Sequence, residues 1–405
     1  MPFLNSTRGT FGVQGTLLHQ SGTPNYLGNS SDGAVTISSN TNLVVPNKNG
    51  SYDGDYVVKN YSSLTIDSGA TLTTDQPCKG LFIYVSGNCT INGTLSMAAR
   101  GAAANPDTFL NTNGIRYPFV PATGSYSGSL AAADFGTCGA AINLAVANQP
   151  GGSGKRIIQI PKRGANGGAS VGCSSSGCQV TGSTGSSGSA SGTDTVVITT
   201  GGGGAGGIYY DTNSCSGSTS GLASGRGGNG TAFSGGTGGG GKMSGTGVVG
   251  GVPTQGDDNG GEGGEGGNGH CGGVHMTTGG VGNPGGWDQF GSSAQSGYNQ
   301  TVQRANSGTG GVIWLIVGGN LTIGASGVID VRGTNNTNYN SNRTGGGNYG
   351  NGGASAGGIA ILLHKGSYSN SGNIYISGGI YDIPGTAAGP GGPGGSGASF
   401  VSQIA

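Results

Sequence analysis

The residues best suited to chemistry in this 405-residue chain lie in one short stretch. Its two glutamates, Glu262 and Glu265, follow Asp257 and Asp258 and precede His270, Cys271 and His275. A pair of carboxylates on either side of one bond is the equipment of a glycoside hydrolase. In an extended helix with three residues per turn and roughly 3.1 Å rise, residues three apart are separated by about 9 Å, near the upper limit for an inverting pair. A working acid also needs a partly apolar pocket to raise its pKa, and the immediate neighbours here are Gly and Asn. The preferred reading of these side chains is a row of solvated tips that keeps an edge from aggregating. Glu262, Glu265, His270 and His275 are also the residues from which a metal site would be built, although one such cluster among loops specifies no metal.

Other catalytic constellations are missing. The run Gly201–Gly207 lacks the Lys-Ser/Thr pair of a phosphate loop. His19 stands apart from any Ser/His/Asp arrangement, and His364, at the end of an apolar strand, reads as structural. No catalytic residue is assigned, and the chain is expected to be a non-enzyme without a cofactor. The aromatics point elsewhere. Tyr209, Tyr210, Phe233, Trp287, Phe290 and Tyr298 interrupt or flank Gly tracts, which makes them receptor-binding candidates. The alternative is that they plug a small core between Gly layers and β strands.

Elements that position such residues must be built from an unusual composition. Gly accounts for 96 residues, charged residues for 8%, and 16 basic residues balance 16 acidic ones. That balance excludes the basic footprint of a nucleic-acid binder. It also differs from ordinary disorder, which combines low hydrophobicity with high net charge. The longest apolar run, Val312 to Val317, is far too short to span a membrane. The first twenty residues carry no signal-peptide core, so synthesis in a cytoplasm without secretion is expected. The cysteine count, seven, is odd. Cys173 and Cys178 are close enough to bridge, but free thiols are the default.

Several segments share one grammar: an apolar strand, a Gly-Asn or Ser-Gly turn, a short alternating strand, then Gly. LFIYVSGNCTINGTLSMAARG from Leu81 aligns with VIWLIVGGNLTIGASGVIDVRG from Val312. The alignment matches Val85 with Val317, Ile91 with Ile323 and Arg100-Gly101 with Arg332-Gly333. Looser copies begin at Tyr61 and Ile359. The period is not fixed, so the expected scaffold is a set of irregular β-solenoid or β-sandwich blocks.

Gly also recurs with a three-residue spacing. Glu262, Glu265, Asn268, Cys271 and Val274 fall every third residue, as do Pro390, Pro393 and Ser396. This matches an extended helix with three residues per turn, whose Gly faces pack backbone to backbone while the third residue points outward. A flexible Gly/Ser linker is the other reading. The expected fold class is therefore mainly β with a layered polyglycine II region and very little α-helix, including a little near Ala140. The expected divisions are an attachment segment at 1–50, a first β block at 51–100, and an irregular insert with a Ser/Gly-rich surface loop at 101–200. A glycine-rich region at 201–311 and a second β block with a Pro/Gly tract at 312–405 complete them.

With NSTRGTFGVQG at 5–15, LTIDSGATL at 64–72, CKGLFIYVSGNCTINGTLSMAARGA at 78–102 and GGGGAGG at 201–207, the chain resembles the glycine-rich fibre and adhesin proteins of tailed bacteriophages. The resemblance covers most of the chain. It implies a virion location, a bundle of polyglycine helices, and variable loops that touch a host receptor without hydrolysing it. Implied partners are other virion tail proteins through the N-terminal region and a host-surface glycan or outer-membrane protein. Nucleic acid and membrane insertion are not expected, and a homo-oligomer is possible. The chain is longer than the short tip adhesins and has β blocks on both sides of its Gly tracts. A shaft or decoration protein, a polysaccharide-cleaving tailspike, and an ice-binding or cell-surface matrix protein stay open beside the adhesin.

Overall fold

The computed structural model describes residues 27–48, 54–102, 141–145, 155–161, 164–173, 179–192, 195–209, 222–224, 226–239, 242–243, 268–271, 274–277, 308–335, 353–380 and 390–403. These residues form strands, turns and extended segments, with no helix among them, so the fold is mainly β.

Six passes of the chain lie side by side. The first contributes Gly33–Ile37 and Thr41–Leu43, and the second Val57–Ile66 and Thr71–Thr74. The third contributes Leu81–Val85, Cys89–Ile91 and Thr94–Ser96. After a long excursion the fourth adds Val312–Val317, Leu321–Ile323 and Val328–Asp330. The fifth adds Ile359–His364, Tyr368–Asn370 and Asn373–Tyr375, and the sixth adds Ala398–Gln403. Neighbouring passes pair in parallel throughout, giving a nine-stranded sheet and, from the last strand of each of the first five passes, a five-stranded sheet.

Register follows the sequence repeats: Val85 pairs with Val317, and Ile91 with Ile323. The turns stack as well. Asn320 donates its N–H to Asn88 Oδ1, and Ser367 donates its N–H to Asn320 Oδ1, at 2.9 Å each.

The apolar runs LFIYV, VIWLIV and IAILLH are continuous because both faces of these strands are buried. Alternate side chains go to opposite faces. Leu81, Ile83, Ile313, Leu315 and Leu362 join Leu72, Leu95 and Ile329 of the five-stranded sheet in a core between the two sheets. Phe82, Tyr84, Trp314, Ile316 and Ile361 face the other way and meet Ile158, Ile160, Val196, Ile198 and Phe233. There Trp314 stacks on Phe82 with centroids 6.1 Å apart, and Tyr56 meets Phe82 edge-on at 5.2 Å.

Against this second face lies a bundle of extended Gly-rich segments centred on Thr200–Ala205. Gly201 and Gly204 donate to the carbonyls of Gly357 and Ala354, Gly202 and Ala205 to those of Ser186 and Ser183, and Gly203 to that of Gly228. In return the segment accepts from Gly236 and Gly239, from Gly395 and Gly392, and from Ala165 and Gly168. Five of the six neighbours are thus met twice, three residues apart. Three neighbours accept the segment's N–H groups and three others donate to its carbonyls, so the buried backbone is satisfied without a sheet. Close approach explains the Gly run. A Cβ on Gly203 would lie 1.8 Å from the Thr237 carbonyl oxygen, and one on Gly202 2.0 Å from that of Asn166.

The bundle also recruits segments beyond 201–311, while most of 240–307 lies outside the described residues. Within the stretch expected to be a Ser/Gly-rich surface loop, Gly182, Gly185 and Gly188 donate to the carbonyls of Pro390, Pro393 and Ser396. Serine and threonine fill the positions between these glycines and are mostly exposed. The helix expected near Ala140 is replaced by a strand, Ala141–Ala145, whose backbone pairs antiparallel with Lys155–Gln159. The partner strand supplies the hydrogen bonds that a helix would have made internally.

Candidate functional site

Because the passes are parallel and in register, equivalent residues form ranks across the sheets. Thr36, Thr65, Thr90, Thr322 and Ser369 are consecutive register partners, each at least partly exposed. Strand spacing sets these hydroxyls about 4.8 Å apart. On the five-stranded sheet, Thr71, Thr94, Val328 and Asn373 make a second rank, and Ser96, Asp330 and Tyr375 a third. Arg332 closes this face. It donates from Nε and Nη2 to the two oxygens of Asp330, at 2.9 and 2.6 Å, and its guanidinium lies 4.6 Å from the centre of the Tyr375 ring. The bonds to Asp330 raise the Arg332 guanidinium further above its ordinary pKa.

These ranks can hydrogen-bond and stack, and three carboxylates elsewhere among the described residues are paired to cations. Asp75 meets Lys48 at 2.6 Å, Asp55 meets Lys79 at 2.8 Å, and Asp32 meets Lys59 at 3.7 Å. Burial acts to raise the Asp75 pKa, but the hydrogen bonds from Lys48 and the Val45 N–H outweigh it and hold the carboxyl below its ordinary value. Each of these carboxylates therefore faces a cation, where a general acid would need a pocket that keeps its proton. Cys78 and Cys89 are buried, and burial pushes Cys89 up to about 12, far from a nucleophilic thiolate.

The residues singled out by sequence are placed as follows. Phe233 is fully buried and meets the Tyr56 ring at 6.2 Å, so it is a core plug and offers no surface to a receptor. That overturns its candidacy: its ring fills the gap between the Gly bundle and the apolar face of the nine-stranded sheet. Tyr209 belongs to the short strand Ile208–Tyr209, which pairs with Gln179–Val180 and Lys242–Met243. Tyr210, Trp287, Phe290, Tyr298, Glu262 and Glu265 lie outside the described residues. His270 and His275 are register partners in the antiparallel pair Asn268–Cys271 and Val274–Thr277. Among the described residues no group of three His, Cys, Asp or Glu is placed to hold a metal. His364 is structural as expected, with Nδ1 2.8 Å from the Gly366 carbonyl and its ring stacked on Tyr368.

The hydroxyl rank was missed in the sequence, although its signal is present. Thr36, Thr65, Thr90 and Thr322 each sit between apolar residues of a strand, and only the pairing reveals that they align. Comparisons with protein-family models, curated proteins and solved structures give no match for this chain.

Proposed function

We propose that this chain is a virion protein of a tailed bacteriophage, a tail-fibre or tail-tip adhesin that binds a host-surface receptor without catalysis. Its scaffold is an irregular β-solenoid fused to a polyglycine II bundle. The observation that carries the reading is the Thr200–Ala205 segment, hydrogen-bonded every third residue to neighbours on all sides. That pattern supports a polyglycine II lattice over a flexible Gly/Ser linker. A lattice of this kind is rigid, and a rigid frame is what holds recognition segments, assigned here to 101–160 or to stretches around 208–234 and 287–300, in fixed positions. The cation-paired carboxylates support binding over hydrolysis.

Purified protein is expected to bind cells or envelope material of its host and to block infection by the corresponding phage. A protein that does neither sinks the adhesin reading. Release of reducing ends from host polysaccharide would instead make it a tailspike.

A second reading, an ice-binding or cell-surface matrix protein, rests on the rank from Thr36 to Ser369. It requires thermal hysteresis that Thr90→Tyr abolishes.

A further inference from the structure

Outside the surfaces above, one cluster brings an amine, a carboxylate and a primary amide together across three adjacent passes. The Asp55 N–H donates to the Pro46 carbonyl at 2.9 Å, and the Lys79 N–H donates to the Gly54 carbonyl at 3.2 Å. Asn47, Asp55 and Lys79 are thereby stacked one above another. The side chains follow the backbone. Lys79 Nζ donates to Asp55 Oδ1 at 2.8 Å, and Asn47 Nδ2 donates to Asp55 Oδ2 at 2.9 Å. The Lys79 side chain is only 1% exposed and that of Asp55 22%. Asn47 is exposed and holds a left-handed backbone, φ 46°, which fixes its position.

We propose that Lys79 and Asn47 are the two ends of an intramolecular isopeptide bond, with Asp55 carrying the protons. One carboxylate grips both reactants, so the attack is intramolecular and its entropy cost is met by folding. Asp55 takes a proton from the Lys79 ammonium on Oδ1, and the freed amine attacks Asn47 Cγ. The Nζ–Cγ bond forms, and the Cγ–Nδ2 bond breaks as the adduct collapses. Protons released from Nζ pass through Asp55 to Nδ2, which leaves as ammonium. An ammonium and a primary amide thus become a secondary amide and an ammonium, with no oxidant or other reactant. The exposed side of Asn47 is the exit for the leaving group. The product ties the end of the first pass to the start of the third.

The test is the intact mass of the purified full-length chain, followed by peptide mapping. The expected mass falls below that of the sequence by one ammonia, and the map contains a branched peptide joining Asn47 to Lys79. Asn47→Ala, which removes only an exposed side chain, returns the full mass, as do Lys79→Arg and Asp55→Ala. Wild-type protein of full mass, with Asn47 and Lys79 recovered in unmodified peptides, overturns the proposal. So does a mass lower by one water, which would assign the link to Asp55. The outcome is independent of what the protein binds.

Discussion

Gly203 shows how little room the bundle leaves for a side chain. Its added Cβ would meet a backbone oxygen at 1.8 Å, and no rotamer change relieves a clash with backbone. Gly203→Ala is therefore expected to destabilise the protein by about 3 kcal/mol or more, at or beyond the upper end of ordinary overpacking. Ser396→Ala, at a partly exposed position of the Pro/Gly tract, should stay within about 0.5 kcal/mol. Denaturant unfolding of the two variants checks both numbers, and equal losses would contradict the bundle. Buried ionisable groups give a second residue-level prediction. Burial first, and then the charge of Asp32, raise Tyr61 from 10.0 to about 12, and burial raises Cys89 from 9.0 to about 12. Tyr84 is pushed up by burial as well. Each group binds its proton more tightly folded than unfolded, so its contribution is intact below the unfolded value and is lost as pH rises through the folded one. Stability should hold to about pH 9 and then fall steadily toward pH 12. Phenolate absorbance should show Tyr61 ionising only as the chain unfolds; ionisation near pH 10 in the folded protein would refute the assignment.

Single elements reveal what sequence spacing encodes. Thr200–Ala205, ringed by neighbours, is Gly at four successive positions; the 390–397 tract, with fewer neighbours, keeps two Gly in three; the 182–188 edge keeps one in three. Gly frequency thus tracks how many sides of a segment are covered, although Ala354, Ser355 and Ala356, all fully buried, show that small side chains are accommodated at some covered positions. The three-residue spacing of Pro390, Pro393 and Ser396 was legible for this reason, whereas Asn268, Cys271 and Val274, read with the same spacing, fall in the antiparallel pair Asn268–Cys271 and Val274–Thr277. The matches of Val85 with Val317 and Ile91 with Ile323 were legible too, since parallel in-register strands give equivalent residues equivalent neighbours. Phe233 was not legible. Its surroundings come from Tyr56, Ile158, Val196 and Trp314, distant in sequence, and no local pattern separates a core plug from an exposed tip. The ranks of hydroxyls and the Asn47–Asp55–Lys79 stack were hidden likewise, because they exist only once the passes are aligned. Phe233→Ala tests the distinction at the scale of the contact between bundle and sheet: it should cost about 3–5 kcal/mol in thermal or denaturant unfolding. A stability change near zero with loss of receptor binding would restore the surface role.

Across the whole molecule the bundle and the sheets share their chain segments. Residues 308–311, 353–358 and 390–397 are bundle members that run directly into Val312–Val317, Ile359–His364 and Ala398–Gln403. Cross-bonds join the two parts: the Gly311 N–H donates to Met97, that of Gly358 to Val331, and that of Gly397 to Ile376. The bundle cannot loosen without freeing the entry of three consecutive strands and uncovering Phe82, Trp314 and Ile361. Opening it therefore costs about as much as opening the apolar core, and the two should form one cooperative unit. Hydrogen exchange reads this directly. Amides of residues 201–205 should exchange on the same timescale as those of Val312–Val317 under native conditions, and both should collapse together in denaturant. Rapid exchange in 201–205 beside a protected Val312–Val317 would make the Gly segments a loose coat on a β scaffold. A coat of that kind would not hold recognition loops in fixed positions, so the same experiment bears on whether this architecture suits an adhesin.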